Sequence, residues 1–521
     1  MLQRSAVAGS ALAAVTAGFA FAAACAGSET KGEGAVRAPG NAPAASATPG
    51  IAKAAKPPPP LSSAAAVRDE PPRVYAKTRF VWIRIEPDTS KGWMGYLWVG
   101  GSARLKTGKK RWGPGCTSWY EIEPRGFVCV DGRDATLDVN DPLVKKLAEY
   151  APKLDSPWPH HYGESRGLNR YRSLPSLEEQ RMREWDFPQQ LARIDAARKG
   201  TVDQLLQGVD LTQAKASPID LGALPPALAE NRTRLTPLST VAWSHEVFDG
   251  QRSWLLTHDF TWVPKDRVAP YPEVHFQGVR LGNDAKLPLA FFRGKDRPKW
   301  RRDASGELVA TGEHWARLSR VELTGQAVEV GRDRYLETRD HGLWLLERDA
   351  VVPKPRTTTP WGDAVSADAA PAGGPRRTWL EASVMKGWLI AYENTRPVYA
   401  TMISAGRGGV PIPGKEPLET ASTPTGTFHI TGKFATATMA APHDFIHSDV
   451  PWTQNFSGPH ALHGAYWHDD WGNKKSAGCI NVSPIDGRWL FEFTEPALPQ
   501  GWHGVRWRPE AEPATLFIVH E

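Results

Sequence analysis

From Val74 onward the chain consists of short runs of β-formers broken by glycine and proline turns, which restricts it to a mainly β architecture. Phe80-Val-Trp-Ile-Arg-Ile85, Tyr96-Leu-Trp-Val99 and Trp119-Tyr-Glu-Ile122 carry aromatic and β-branched residues, and Pro124-Arg-Gly126 turns the chain into Phe127-Val-Cys-Val130. Cys116 and Cys129 bracket this hairpin. A disulfide between them would close a small loop and contribute about 3 kcal/mol in the chain-entropy picture.

At 521 residues the chain has room for several domains. Residues 1–25 read as an export signal, with Arg4, an Ala-rich apolar stretch from Ala6 to Ala24, and small residues before Cys25. This resembles a bacterial lipoprotein signal, cleaved before Cys25, whose thiol is then lipidated. Ala26 is not the aspartate that holds such proteins at the inner membrane, so a lipid-anchored, periplasmic protein on the outer membrane is expected. An ordinary signal peptide or a single membrane anchor is the alternative.

Residues 26–72 are rich in Ala, Pro, Gly and Ser, ending in Lys56-Pro-Pro-Pro-Pro60, and read as a flexible tether. Residues 73–135 resemble an SH3-like β-barrel in size and pattern, with an unclassified small β domain as the alternative. Residues 136–230 form a partly helical connecting segment. There Ser176-Leu-Glu-Glu179 is a capping box opening a helix toward Ala197, interrupted at Phe187-Pro188. Residues 231–353 are again β-rich. Tyr335–Leu345 loosely echoes Trp119–Val128, suggesting a second SH3-like unit with insertions. Residues 354–376 are a linker, and 377–521 a last domain in which Leu389–Tyr392 and Val398–Ile403 form a β-hairpin.

The net charge of +6 is small for this length. It allows loose attraction to an anionic polymer and is too diffuse for nucleic-acid binding. Chemistry concentrates in Pro459–Trp489, where His463-Gly464 is followed by Ser476-Ala-Gly-Cys-Ile-Asn481. A thiol with a pKa near ~8.5 is mostly protonated at neutral pH, so a nucleophilic cysteine needs a base beside it. His463 can supply that base, and Gly478 lets backbone amides face a developing oxyanion. On spacing alone a structural cysteine is an equal reading. With Cys25 lipidated and Cys116 near Cys129, Cys479 is the expected reactive thiol.

These residues resemble the L,D-transpeptidases of bacterial cell walls, the YkuD fold. Thr423-Pro-Thr-Gly-Thr-Phe428 is similar to the family's strand-turn-strand, Ala461–His468 to its histidine strand, and Asn481–Leu490 to the segment after its nucleophile. The resemblance spans about residues 377–521. It implies a cysteine acyltransferase, with no cofactor, that acts on peptidoglycan stem peptides. Cys479 would attack the carbonyl of the third, L-configured stem residue and release D-alanine. His463 would be the base, and its tautomer would be held by the Gly464 carbonyl. The amides of Gly478 and Cys479 would bind the oxyanion. An amine acceptor would then take the acyl group, either another stem (a 3–3 cross-link) or an accessible protein lysine. Ser476 and Asn481 would shape the nucleophile turn. Arg488 would meet a substrate carboxylate or brace a helix, and Tyr466, Trp467 and Trp471 would line a groove or pack in the core. One departure stands out: Ala477 replaces the family's second histidine.

Two rival functions follow from other features. His443, His447, His460, His463 and His468 lie close to Asp444, Asp469 and Asp470, which allows a zinc hydrolase, although His460-x-x-His463 lacks the HExxH glutamate. Ala477 and the accessory modules allow a non-catalytic wall-binding scaffold. His160-His161 reads as a surface pair, not a metal site.

Overall fold

The computed structural model describes residues 72–201, 203–217, 233–282, 284–367, 374–440 and 446–521. The expected signal at 1–25, with Cys25, and all but the last residue of the 26–72 tether lie outside the described residues. The chain is mainly β, as the turn-punctuated runs predict, and is organised in several sheets. No helix among the described residues is long and apolar enough to cross a membrane.

The C-terminal unit packs two sheets face to face. One contains Thr378–Ser383, Trp388–Glu393, Arg396–Met402, Gly426–His429 and Leu516–His520. The other contains Gly432–Ala440, Ile446–Ser457, His460–Gly464, Ile480–Val482 and Gly504–Arg506. Leu380, Leu389 and Tyr399 from the first sheet meet Phe456, Leu462, Ile480 and Val482 from the second. Leu490, from helix Pro484–Phe493, joins the same core. The Leu389 and Val398 runs form the antiparallel hairpin that their sequence predicts.

This unit does not stand apart from its neighbours. Gly504–Arg506 pairs with Gly432–Phe434 on one side and with Gly95 and Tyr96 on the other. The second sheet therefore runs on into the N-terminal module as a 12-stranded sheet. Glycine is required at the seam. A Cβ at Gly95 would lie 2.5 Å from the Trp502 ring, and one at Gly504 would lie 2.5 Å from Tyr96. In the N-terminal module the structure joins Cys116 to Cys129, with 6.0 Å between their Cα atoms.

The middle of the chain is divided differently from the sequence reading. His161–Ser165, from the segment read as partly helical, enters a five-stranded sheet with Thr240–Phe248, Ser253–Thr257, Trp262–Pro264 and Val268–Pro270. Residues 289–351 build a separate seven-stranded sheet. The strand His161–Ser165 contains Gly163 and no apolar run, so its pairing with Thr240–Trp243 is set by tertiary contact, not by periodicity. Between them, Val279–Arg280 adds an edge strand to the C-terminal unit beside Tyr399 and Ala400. The helical signals match the structure. Ser176 caps Leu177–Arg183 by accepting the Glu179 amide, and a second helix starts at Phe187 with Pro188 in its first turn.

Lys433 fixes the helix that follows the cysteine. Its buried ammonium donates to the carbonyl of Thr494 at 2.7 Å and to that of Phe491, at the helix C-terminus. Burial pushes this amine down to about 7, whereas an unfolded lysine titrates near ~10.4. Between those values the unfolded chain holds the extra proton, so this site's contribution to stability rises with pH. Between about pH 7 and about pH 9.5 the parent's denaturant midpoint should therefore rise relative to that of Lys433→Met. Equal pH slopes for the two proteins would contradict this account of Lys433.

Candidate active site

The histidine and cysteine meet because two short strands pair in parallel. In the pairing of His460–Gly464 with Ile480–Val482, Leu462 lies opposite Ile480, His463 opposite Asn481, and Gly464 opposite Val482. Side chains alternate along strands, so each strand divides between two faces. Leu462, Ile480 and Val482 point into the core between the sheets. Ala461, His463, Cys479 and Asn481 share the opposite face, where Ala461 and Cys479 pack with Met439 and Val450. A one-residue slip in either strand would place the histidine and the cysteine on different faces.

His463 and Cys479 are both 0% exposed. His463 Nδ1 lies 3.1 Å from the Gly464 carbonyl and donates to it, which leaves the lone pair on Nε2. That Nε2 is buried and has no hydrogen-bond partner among the described residues. Burial pushes the imidazole down to about 4, and the Gly464 hydrogen bond opposes this only in part. The ring is therefore neutral at physiological pH, the state a base requires. Cys479 Sγ accepts the Ala461 amide at 3.3 Å.

The turn before Cys479 is braced by Ser476. Its hydroxyl donates to the Cys479 carbonyl and accepts the Gly478 amide at 3.1 Å. Gly478 N–H is thus already committed, contrary to its expected role as an oxyanion donor, and the Cys479 amide is left as the donor of the expected pair. Asn481 contacts His468 Nε2 at 3.1 Å, and His468 Nδ1 accepts the Asp470 amide at 3.2 Å. The Asn481 atom placed against His468 Nε2 is its amide nitrogen. Burial keeps His468 neutral by pushing it down to about 3.

Trp467 closes the site from outside, 5.7 Å from the His463 ring and stacked on His447 at 4.0 Å. Trp471 is fully buried in the core. Tyr466, expected at a substrate groove, is also buried. Its ring stacks on Tyr162 at 3.8 Å, and its hydroxyl donates to the Ser448 carbonyl at 2.6 Å. Arg488 lies on the outer side of its helix, bonded to Glu492 at 2.9 Å and to the Asp155 carbonyl, so it braces the helix. His160, read as a surface residue, is buried against Asp449.

Asp486 is a site-organising residue that no motif in the sequence marks. Its fully buried carboxylate accepts from Tyr399 at 2.6 Å, Thr401 at 2.5 Å and the Gly278 amide at 2.8 Å, tying the helix to both neighbours. Burial still raises its pKa above the usual carboxylate value. Among the described residues no group of three or more His, Cys, Asp or Glu side chains is placed to hold a metal ion. His443 and Asp444, from the span that suggested zinc, lie outside the described residues.

Gly478 has a φ of +132°, and a Cβ there would lie 2.9 Å from the His460 ring and 2.9 Å from the Ser422 carbonyl. Neither neighbour can yield cheaply, because both are buried and one is backbone. Gly478→Ala should therefore destabilise the protein by about 1–3 kcal/mol and reduce the reactivity of reduced Cys479. Thermal melting and thiol alkylation rates check the two effects. A folded variant with parental reactivity would contradict the assignment of a strained turn at 478.

Residues 378–500 match the family model of YkuD, the L,D-transpeptidase catalytic domain. Among curated proteins none matches the chain. A solved L,D-transpeptidase from Xylanimonas cellulosilytica is 19% identical, the match covering 29% of this chain and 64% of that one, with a TM-score of 0.19. For an Enterococcus faecium L,D-transpeptidase mutant the figures are 20%, 27%, 49% and 0.20. For an L,D-transpeptidase from Mycobacterium tuberculosis they are 17%, 38%, 77% and 0.21. The match spans less than two thirds of the first two structures' length. It is residues 378–500, the unit that brings His463 and Cys479 to one sheet face, that match the L,D-transpeptidase catalytic domain.

Proposed function

We propose that residues 377–521 act as a peptidoglycan L,D-transpeptidase with Cys479 as nucleophile and His463 as base. The observation that carries this reading is the neutral, buried His463, tautomerised by Gly464 and on the same sheet face as Cys479. The family match over residues 378–500 supports it.

Cys479 Sγ bonds to the carbonyl carbon of the third stem residue and its proton passes to His463 Nε2. The carbonyl oxygen takes the negative charge and meets the Cys479 amide. Such a donor is worth about 3 kcal/mol in comparable sites. The C–N bond to D-alanine then breaks, and Nε2 returns the proton to the leaving amine. An acceptor amine attacks the thioester and gives its proton to His463, and Cys479 leaves as the thiol. A second stem as acceptor gives a 3–3 cross-link, and an accessible protein lysine gives a wall-linked protein. Location on the periplasmic side of the outer membrane, anchored through a lipidated Cys25, belongs to the same proposal. Its motivation is the Ala6–Ala24 stretch, and it is refuted by a mature N-terminus without acyl mass.

The test is D-alanine release from a tetrapeptide stem by reduced, purified protein. Cys479→Ala should abolish release, and His463→Ala should lower it by about a hundredfold or more. Turnover by folded Cys479→Ala within a few-fold of the parent would overturn the thiol mechanism, and no release by the parent would return the scaffold reading. In the parent, the acid limb of the rate profile should fall near the depressed value of about 4 for His463, not near ~6.5. Protonating Nε2 removes the base, so the rate should drop as pH falls through that value. A limb near the ordinary histidine value would show that another group limits the rate.

A further inference from the structure

The proposed reacting pair is closed off from solvent. Met439 and Val450, on the strands Gly432–Ala440 and Ile446–Ser457, pack on Cys479. His447, on the second of these strands, backs the Trp467 ring that lies over His463. A peptide carbonyl reaches Sγ only if this cover shifts.

The cover is held from outside its own domain. Ser239 accepts the Ile446 amide at 3.2 Å, and Thr240 accepts the Ser448 amide at 2.8 Å. Tyr162 donates to the Asp449 carbonyl at 3.0 Å. The Asp449 carboxylate lies 2.9 Å from His160 Nε2 and 3.7 Å from His258 Nε2. All of these partners belong to the central sheet or its flanking turns. They grip Ile446, Ser448 and Asp449 of the strand, whose intervening His447 and following Val450 cover the site.

The grip is built at some cost. Asp449 is 1% exposed and sits at a φ of +42°, a conformation held only when the surroundings over-determine it. Burial works against its charge, but His258, His160 and Arg79 outweigh burial and hold the carboxyl below its usual range. Buried ionic clusters add little net stability compared with apolar packing, and their best-attested use is to select one arrangement over another. Loss of one partner leaves the buried Asp449 carboxylate less compensated, which gives the contact two distinct states.

We propose that the His160–Asp449–His258 cluster is a latch through which the central module keeps the strand Ile446–Ser457 closed over Cys479 and His463, and that its release admits substrate. The three side chains act on the reaction as positioning residues, through that strand. The inference rests on the reading that Cys479 and His463 are the reacting pair, but its test does not need transpeptidation.

The test uses the full chain after reduction. Two readouts are followed: the rate at which iodoacetamide alkylates Cys479, measured on the Cys479 peptide by mass spectrometry, and amide hydrogen exchange at 446–450. Asp449→Asn and, separately, His258→Gln should each speed alkylation by about fivefold or more and accelerate exchange at 446–450. Asp449→Glu should stay near the parental rate. Exchange across Thr378–Glu393 should not change, which separates unlatching from general unfolding. Alkylation at or below the parental rate in a folded His258→Gln would overturn the latch, whether or not Asp449→Asn folds. A parent that alkylates rapidly while exchange at 446–450 stays slow would overturn it too. A protein that alkylates as expected but never releases D-alanine would sink the functional proposal alone.

Discussion

Everything proposed for this chain depends on one parallel pairing, that of His460–Gly464 with Ile480–Val482. It sends Leu462, Ile480 and Val482 into the core and leaves His463 and Cys479 together on the other face. The same residues that make the interior also set the register of the site. Apolar burial holds that register firmly, because a slip of the second strand by one position would turn Ile480 and Val482 out of that core at about 1.5–3 kcal/mol each.

The site's electrostatics follow from the same burial. An imidazole out of water loses its affinity for a proton, so His463 stays neutral and is steered by one backbone carbonyl. Around it the polar groups find partners within the protein. Ser476 takes the Gly478 amide, and Asp486 gathers Tyr399, Thr401 and Gly278. The enclosure that favours such chemistry also keeps substrate out. Contact between the central sheet and Asp449 then becomes a matter of access as well as packing. The continuous sheet through Gly504–Arg506 leaves the modules little freedom to drift relative to one another.

Much of this was legible in the sequence, and the parts that were not share a cause. Motifs local in the chain read correctly as structure: the Ser176 cap, the Leu389–Ile403 hairpin and the β segments around Cys116 and Cys129. The Gly464 carbonyl was named by the family resemblance, and it lies 3.1 Å from His463 Nδ1. Contacts set by distant chain segments could not be read locally. Tyr466 is an aromatic beside the histidine strand in sequence, yet in space its hydroxyl is spent between Thr240 and Ser448. His160 looked like a surface residue because Asp449, its partner, lies far along the chain. The division of the middle region failed for the same reason. His161–Ser165 has no apolar alternation of its own and becomes a strand only beside Thr240–Trp243.

The central claim is that a stem peptide becomes covalently attached at Cys479 Sγ. Its most direct measurement is intact and peptide mass spectrometry of the reduced full chain, quenched in acid after brief incubation with a tetrapeptide stem and no acceptor amine. The expected result is an adduct equal to the stem minus D-alanine, confined to the Cys479 peptide and removed by hydroxylamine. No adduct, with D-alanine released at the same rate, or an adduct on any other residue, would contradict the account.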